Sequence, residues 1–149
     1  MSPISNWPPL INALVHIVEH PEDYDQTVWK CGTTHCVAGW ITQLAGWNWI
    51  NNVHVMPPGH SDPDDSMGVG DAAFQILGVP VNDVEDSEWM ELDYGLFGAD
   101  RPWFAILDMV FRMALEDGIK FPGALVGELI NVGVLDPVEH QTLLEGLRA

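Results

Sequence analysis

The segment Trp29–Trp40 holds the side chains of this chain that are best suited to chemistry. It contains both cysteines, Cys31 and Cys36, together with His35, within twelve residues. Turn and capping signals predict a helix over residues 35–45, which places Cys36 in its first turn. The helix dipole and the free N–H groups at that position lower the pKa of a thiol and favour the reactive thiolate.

Cys36 could therefore be the nucleophile of a hydrolase or transferase. Such an enzyme needs a histidine as general base, and His54 and His60 are available with acids and an amide nearby in the sequence. Papain-like and transglutaminase-like enzymes place their cysteine at a helix start in this way. The spacing from Cys36 to His54 is short for those folds, and no β-sheet that would carry the histidine is evident from the sequence.

A second interpretation of the same segment is a metal site. Cys31, His35 and Cys36, with a remote histidine, offer the sulfur and nitrogen ligands that zinc prefers. The C-x4-C spacing is not that of a zinc finger, and adjacent residues on a helix point roughly a third of a turn apart. The third interpretation, which we favour, is structural: both cysteines pack as small apolar residues, and Thr33 or Thr34 caps the helix.

Two further histidines have a spacing that bears on metal binding. His16 and His20 are four residues apart on the first predicted helix and so share one of its faces. No H-E-x-x-H signature accompanies them. We therefore interpret them as exposed histidines at a helix C-terminus, where a positive charge is favourable.

The charge of the chain is strongly one-sided. Five Lys and Arg stand against 22 Asp and Glu, and the formal net charge is −17. Residues 31–100 contain no Lys or Arg but eleven acids. Such a surface repels nucleic acid and anionic membranes and attracts basic proteins. The densest acidic run supplies the predicted partner-binding residues, Asp83, Glu85, Asp86, Glu88, Trp89, Glu91 and Asp93.

Helix signals dominate and predict a mainly α fold in one globular acidic domain, residues 1–149. Helical spacing of apolar residues and capping signals predict six or seven short helices, near residues 8–18, 35–45, 71–77, 87–96, 102–115, 122–132 and 136–147. Asn6 and Asp136 are the predicted N-caps of the first and last helices. A small β-hairpin is predicted near residues 48–56, followed by a turn-rich loop over residues 56–70.

The cysteine segment resembles a motif of small uncharacterised proteins from bacteriophages and actinobacteria, W-x-C-G-T-x-x-C-x-A-G-W followed by L-A-G. The matching residues here are Trp29, Cys31-Gly32-Thr33, Cys36, Ala38-Gly39-Trp40 and Leu44-Ala45-Gly46. Later elements of that family are similar to Ala73, Leu77-Gly78 and Leu96-Phe97. The resemblance covers about half of the chain and implies a phage or mobile-element setting, without an activity or catalytic residues.

These patterns favour a non-enzymatic acidic protein that blocks a basic, nucleic-acid-binding host or defence protein. The alternatives are the Cys36 enzyme and a small-ligand or metal-binding module at the cysteine segment. We expect no cofactor and no direct contact with nucleic acid or membrane, and the tryptophans are also compatible with homo-oligomerisation. The N-terminus lacks a secretory signal pattern, and no apolar run is long enough to span a membrane, so a cytoplasmic location is expected.

Overall fold

Helices make up most of the architecture. The computed structural model describes residues 2–28, 30–31, 34–80 and 86–148. Within them it has seven α-helices: α1 Pro8–Glu19, α2 Val37–Leu44, α3 Val69–Ile76, α4 Asp86–Phe97, α5 Trp103–Asp117, α6 Gly123–Asn131 and α7 Gln141–Leu147. Two short 3-10 helices span Pro21–Asp23 and Pro63–Asp65. The predicted mainly α fold is confirmed. None of the helices in these ranges combines the length and apolar character that crossing a bilayer requires.

Short strands connect the helices in the first half of the chain. β1 (Lys30–Cys31) pairs antiparallel with β2 (Thr34–His35). A three-stranded antiparallel sheet has the order β3 (Asn48–Trp49), β4 (His54–Met56) and β5 (Met67–Gly68). The predicted hairpin is thus confirmed as β3–β4. The turn-rich loop is shorter than predicted, because β5 and the start of α3 lie within residues 56–70.

The core is built around α2. Its residues Val37–Thr42 are all buried, so this helix has no solvent face over its first six residues. It packs between α1 and α3, which contribute fully buried side chains such as Leu14 and Phe74. One hydrophobic core joins these to side chains as far apart in sequence as Ile4 and Leu147. The segment with the most reactive residue types therefore leads directly into the centre of the molecule.

Helix α2 begins later than predicted. Its N-cap is Cys36, whose Sγ accepts the N–H of Gly39 at 3.4 Å. His35, which was expected in the helix, lies on β2 with Thr34. Thr34 is therefore not the cap, and Thr33 lies outside the described residues.

The predicted caps of the first and last helices also differ from the structure. Trp7 is the N-cap of α1, without a side-chain bond, while the Asn6 amide donates to the carbonyl of Ile76 at 2.8 Å. The Asp136 carboxylate accepts the N–H of Val138 at 2.8 Å, as a cap would. The residues after it form turns, however, and α7 begins only at Gln141. Both polar side chains make local or tertiary bonds in place of the predicted helix caps.

Candidate functional site

Cys36 is a buried thiol at a helix start. Its residue exposure is 1%, and its backbone N–H donates to the carbonyl of Val28 at 3.0 Å. Burial raises the thiol pKa to about 11, against the lowering effect of the N–H groups of Gly39 and Ala38. The thiol is therefore protonated at neutral pH. This environment is that of a structural cysteine and opposes its use as a nucleophile.

The two histidines proposed as general bases are exposed and make local bonds. His54 lies on β4, and its Nδ1 is 3.2 Å from the side-chain oxygen of Asn51. His60 lies in the loop before β5, with Nδ1 3.0 Å from a carboxylate oxygen of Asp65. His54 thus lies in the small sheet that contains the predicted hairpin. The hydrogen bonds that the described structure gives to these two rings go to neighbours in sequence and not to Cys36.

The proposed ligands of the cysteine segment have different surroundings. His35 is 3% exposed, and its ring packs 4.5 Å from that of Trp40 and 5.4 Å from that of Trp49, measured between centroids. The sulfur of Cys36 is used in the α2 cap. The side chain of Cys31 lies outside the described part of the chain. In the described part of this segment, the His35 ring therefore packs against tryptophan rings, and the Cys36 sulfur caps α2.

Potential metal ligands converge at a different place. One ligand atom each from His20, Glu22 and Asp23 lies within 4.8 Å of the other two. We call these three residues the His20 cluster. The spacing from His16 pointed to His20 in the sequence, but the two acids were not predicted as ligands. The signal that points to them is a histidine followed, across a proline, by two adjacent carboxylates.

A buried glutamine holds the surroundings of Cys36 together. The amide nitrogen of Gln26 donates to the carbonyls of Leu96 and Gly98, at 3.2 and 3.1 Å. Its amide oxygen accepts the N–H of Val37 at 3.3 Å and the hydroxyl of Tyr24 at 3.1 Å. One side chain thereby ties the start of α2 to the end of α4. Sequence reasoning missed it, since a lone glutamine carries no pattern.

The predicted partner-binding residues fall partly outside the described structure. Asp83 and Glu85 lie outside it, and so do the side chains of Asp86, Glu88 and Trp89, whose backbone belongs to α4. Of the remaining two, Glu91 is exposed and Asp93 is half-buried.

Asp93 differs electrostatically from an ordinary surface acid. Burial raises the pKa of its carboxyl, and the charge of Asp71 on α3 raises it further. Two helices thus bring acidic side chains close enough to repel each other. The predicted acidic surface therefore extends beyond α4 to α3.

The carboxylates of the described surface are almost without cationic partners. None of the carboxylate side chains in the described part is buried. Within the same part, Asp108 alone forms an ion pair with a Lys or Arg, at 3.1 Å from Arg112. Arg101 donates to the carbonyls of Gly95 and Ala105, and Lys120 donates to that of Gly146. Two of the described cations are thus engaged with backbone carbonyls, and most of the described carboxylates have no Lys or Arg partner.

Comparisons with known proteins add no relative. No protein-family model, curated protein or solved structure matches this chain. The resemblance of residues 29–46 to small phage and actinobacterial proteins stays a prediction.

Proposed function

We propose that this protein is a non-enzymatic acidic interaction protein that binds a basic, nucleic-acid-binding partner and covers its nucleic-acid site. The observation that carries the proposal is the negative surface described above, in a chain of net charge −17. A field of this sign raises the local concentration of cationic partners and speeds their association. In the phage or mobile-element setting that the resemblance implies, the partner is a host or defence protein.

The acids carried by α4 and their neighbours are the proposed centre of the contact. Glu91 is exposed on α4. The carboxylates of Asp93 on α4 and Asp71 on α3 repel each other. A basic partner would relieve that repulsion on binding, so the pair favours a complex over the free protein. The buried, protonated Cys36 thiol supports a structural rather than a catalytic role for the cysteine segment.

The test combines affinity capture with a matched pair of charge variants. The immobilised protein is exposed to nuclease-treated host lysate at about 0.05 M and about 0.5 M NaCl, where screening differs strongly. The test variant carries Glu88→Gln, Glu91→Gln and Asp93→Asn. The control carries Glu19→Gln, Glu139→Gln and Glu145→Gln, which remove the same charge from exposed acids on other helices and turns.

We expect a DNA- or RNA-binding protein to be captured at low salt and released at high salt or by excess duplex DNA. The α4 variant should lose most of this capture, whereas the control should retain it. Melting curves of both variants establish that they are folded. The proposal fails if nothing is captured, if DNA does not release the bound protein, or if the α4 variant binds as well as the wild type.

A further inference from the structure

The turn that follows α1 brings together one imidazole and two carboxylates, the His20 cluster. The His20 Nδ1 lies 3.6 Å from a carboxylate oxygen of Glu22, and the side chains are 50% and 68% exposed. A ligand atom of Asp23 lies within 4.8 Å of both. Nitrogen and carboxylate oxygen are ligands that zinc and related divalent ions accept together.

The backbone that carries these ligands is held in place by bonds that leave the ligand atoms free. The N–H of His20 donates to the carbonyl of His16 at 2.8 Å, and that of Asp23 donates to the carbonyl of His20 at 3.0 Å. The carbonyl of Asp23 accepts the indole N–H of Trp40 at 2.9 Å. The turn is thus fastened to both α1 and α2.

The electrostatics of this position favour a cation. The turn lies at the C-terminal end of the twelve-residue helix α1, where the helix dipole places partial negative charge. The last turn of α1 contains no Lys or Arg. Two carboxylates in the cluster and the exposed Glu19 add to the negative potential. A metal ion bound here would neutralise charge that the described neighbours do not.

A second observation at the same place comes from His16. Its ring centroid lies 4.7 Å from that of His20 and 3.9 Å from that of Trp40. Its Nε2 atom is buried and lacks a hydrogen-bond partner in the described structure, which is costly for a polar atom. His16, Glu19 and His20 line one cleft of about 440 Å³ beside α1. The cleft therefore reaches His20 of the cluster, and the imidazole of His16 lies next to it.

We propose that the His20 cluster binds one divalent first-row transition metal ion of the zinc class, through the imidazole of His20 and the carboxylates of Glu22 and Asp23. The imidazole is the reason for this class, because magnesium and calcium prefer oxygen ligands alone. Metal–ligand bonds of about 2.0–2.2 Å require the three ligand atoms to draw closer than they lie here. The side chains of His20 and Glu22 are exposed and can make that adjustment, whereas Asp23 is half-buried.

The experiment titrates the full chain with ZnCl₂ in a background of excess Mg²⁺, which occupies sites made of carboxylates alone. Isothermal calorimetry measures the affinity, and the NMR signal of the Trp40 indole N–H reports the location, since that group is bonded to Asp23. The variants are His20→Ala and Glu22→Gln. The matched control is His60→Ala, which removes an exposed histidine that also faces a carboxylate, Asp65.

We expect one saturable zinc equivalent, a shift of the Trp40 signal, and at least about tenfold weaker binding in both cluster variants. His60→Ala should bind as the wild type does. Glu22 is exposed, so Glu22→Gln keeps the test decisive even where His20→Ala disturbs the end of α1. Absence of saturable binding, an unmoved Trp40 signal, or unchanged affinity in Glu22→Gln would overturn the proposal.

Discussion

At the scale of one residue, two opposing effects act on the pKa of the Cys36 thiol. Its position at the start of α2 would lower the thiol pKa, because N–H groups and the helix dipole favour the thiolate. Burial acts in the other direction, and the pKa is raised to about 11. The desolvation cost is thus larger than the stabilisation by the helix start. The sulfur occupies the position in which Ser, Thr or Asp commonly cap a helix.

The first prediction concerns the reactivity of this thiol. In a Cys31→Ser background, Cys36 should resist iodoacetamide at neutral pH in the folded protein and react readily in denaturant. A pKa raised from 9.0 to about 11 reduces the thiolate fraction about hundredfold, since each pKa unit is a factor of ten, and burial slows access further. Mass spectrometry of timed samples measures the rate. Rapid alkylation of the folded protein would restore the nucleophile hypothesis.

The residue types predicted the position of Cys36 but not the hydrogen bonds that surround it. The sequence indicated that Cys36 lies at a helix start and that a structural role was the favoured one. It could not show that Gln26 bonds to both α2 and the end of α4, because those partners are up to 72 residues away. The acids of the His20 cluster were missed for a related reason, since the search for ligands centred on the cysteines.

At the scale of elements, the N-terminal segment closes the end of α3. The N–H groups of Ser5 and Asn6 both donate to the carbonyl of Leu77, at 3.1 and 2.9 Å. The Ser5 hydroxyl donates to the carbonyl of Gly78 at 2.8 Å. Gly78 has a φ of +69°, and a Cβ built there would overlap the Ser5 hydroxyl. Both the backbone conformation and the close approach therefore require glycine.

Gly118 provides a matched control for this position. It ends α5 with a φ of +67°, and nothing lies within 4 Å of a Cβ built there. Gly118→Ala should therefore cost only the left-handed backbone strain, about 1–2 kcal/mol in the free energy of unfolding. Gly78→Ala should cost a further ~0.5–1.5 kcal/mol, because the Ser5 hydroxyl has to leave its hydrogen bond. Urea denaturation of both variants measures the difference, and equal losses would mean that the Ser5 contact contributes nothing.

Element positions followed from the sequence more closely than element ends did. The apolar stripe of α5 places Leu107, Val110 and Phe111 in the core, and the helix was predicted within two residues of its observed ends. Such a stripe acts over the whole helix, so its period is visible in the sequence. The start of a helix depends on a single capping side chain, which can form a different hydrogen bond instead. Asn6 does so, because its amide bonds to the carbonyl of Ile76 and does not cap α1. The two-residue strand β5 is too short for any period to show.

At the scale of the whole molecule, the net charge of −17 acts against folding as well as for binding. Carboxylates that lie close together in the folded state repel one another more than they do in the unfolded chain. Asp93 shows this locally, since burial and the charge of Asp71 both raise the pKa of its carboxyl. Repulsion within the proposed binding surface thus lowers the stability of the free, folded protein.

The sign of the pH dependence follows from linkage. A carboxyl whose pKa is higher in the folded state than its ordinary 3.8 binds protons more tightly when folded. Its contribution to stability therefore falls as pH rises from 3.8 through the folded-state pKa, and the penalty is complete once the pH lies well above that pKa. Replacing Asp93 with a residue that cannot ionise should remove that penalty.

Asp93→Asn should accordingly raise the melting temperature at pH 7, and the gain should shrink as the pH is lowered towards the folded-state pKa of Asp93. Glu91→Gln removes one negative charge from the exposed surface of the same helix and should change the melting temperature less. Calorimetric scans of the wild type and both variants between pH 5 and pH 7 separate desolvation of one carboxyl from general charge relief. Equal gains in the two variants would mean that Asp93 behaves as an ordinary surface acid. A loss in Asp93→Asn would mean that its charge stabilises the fold, and the α4 surface would then need a structural explanation as well as a functional one.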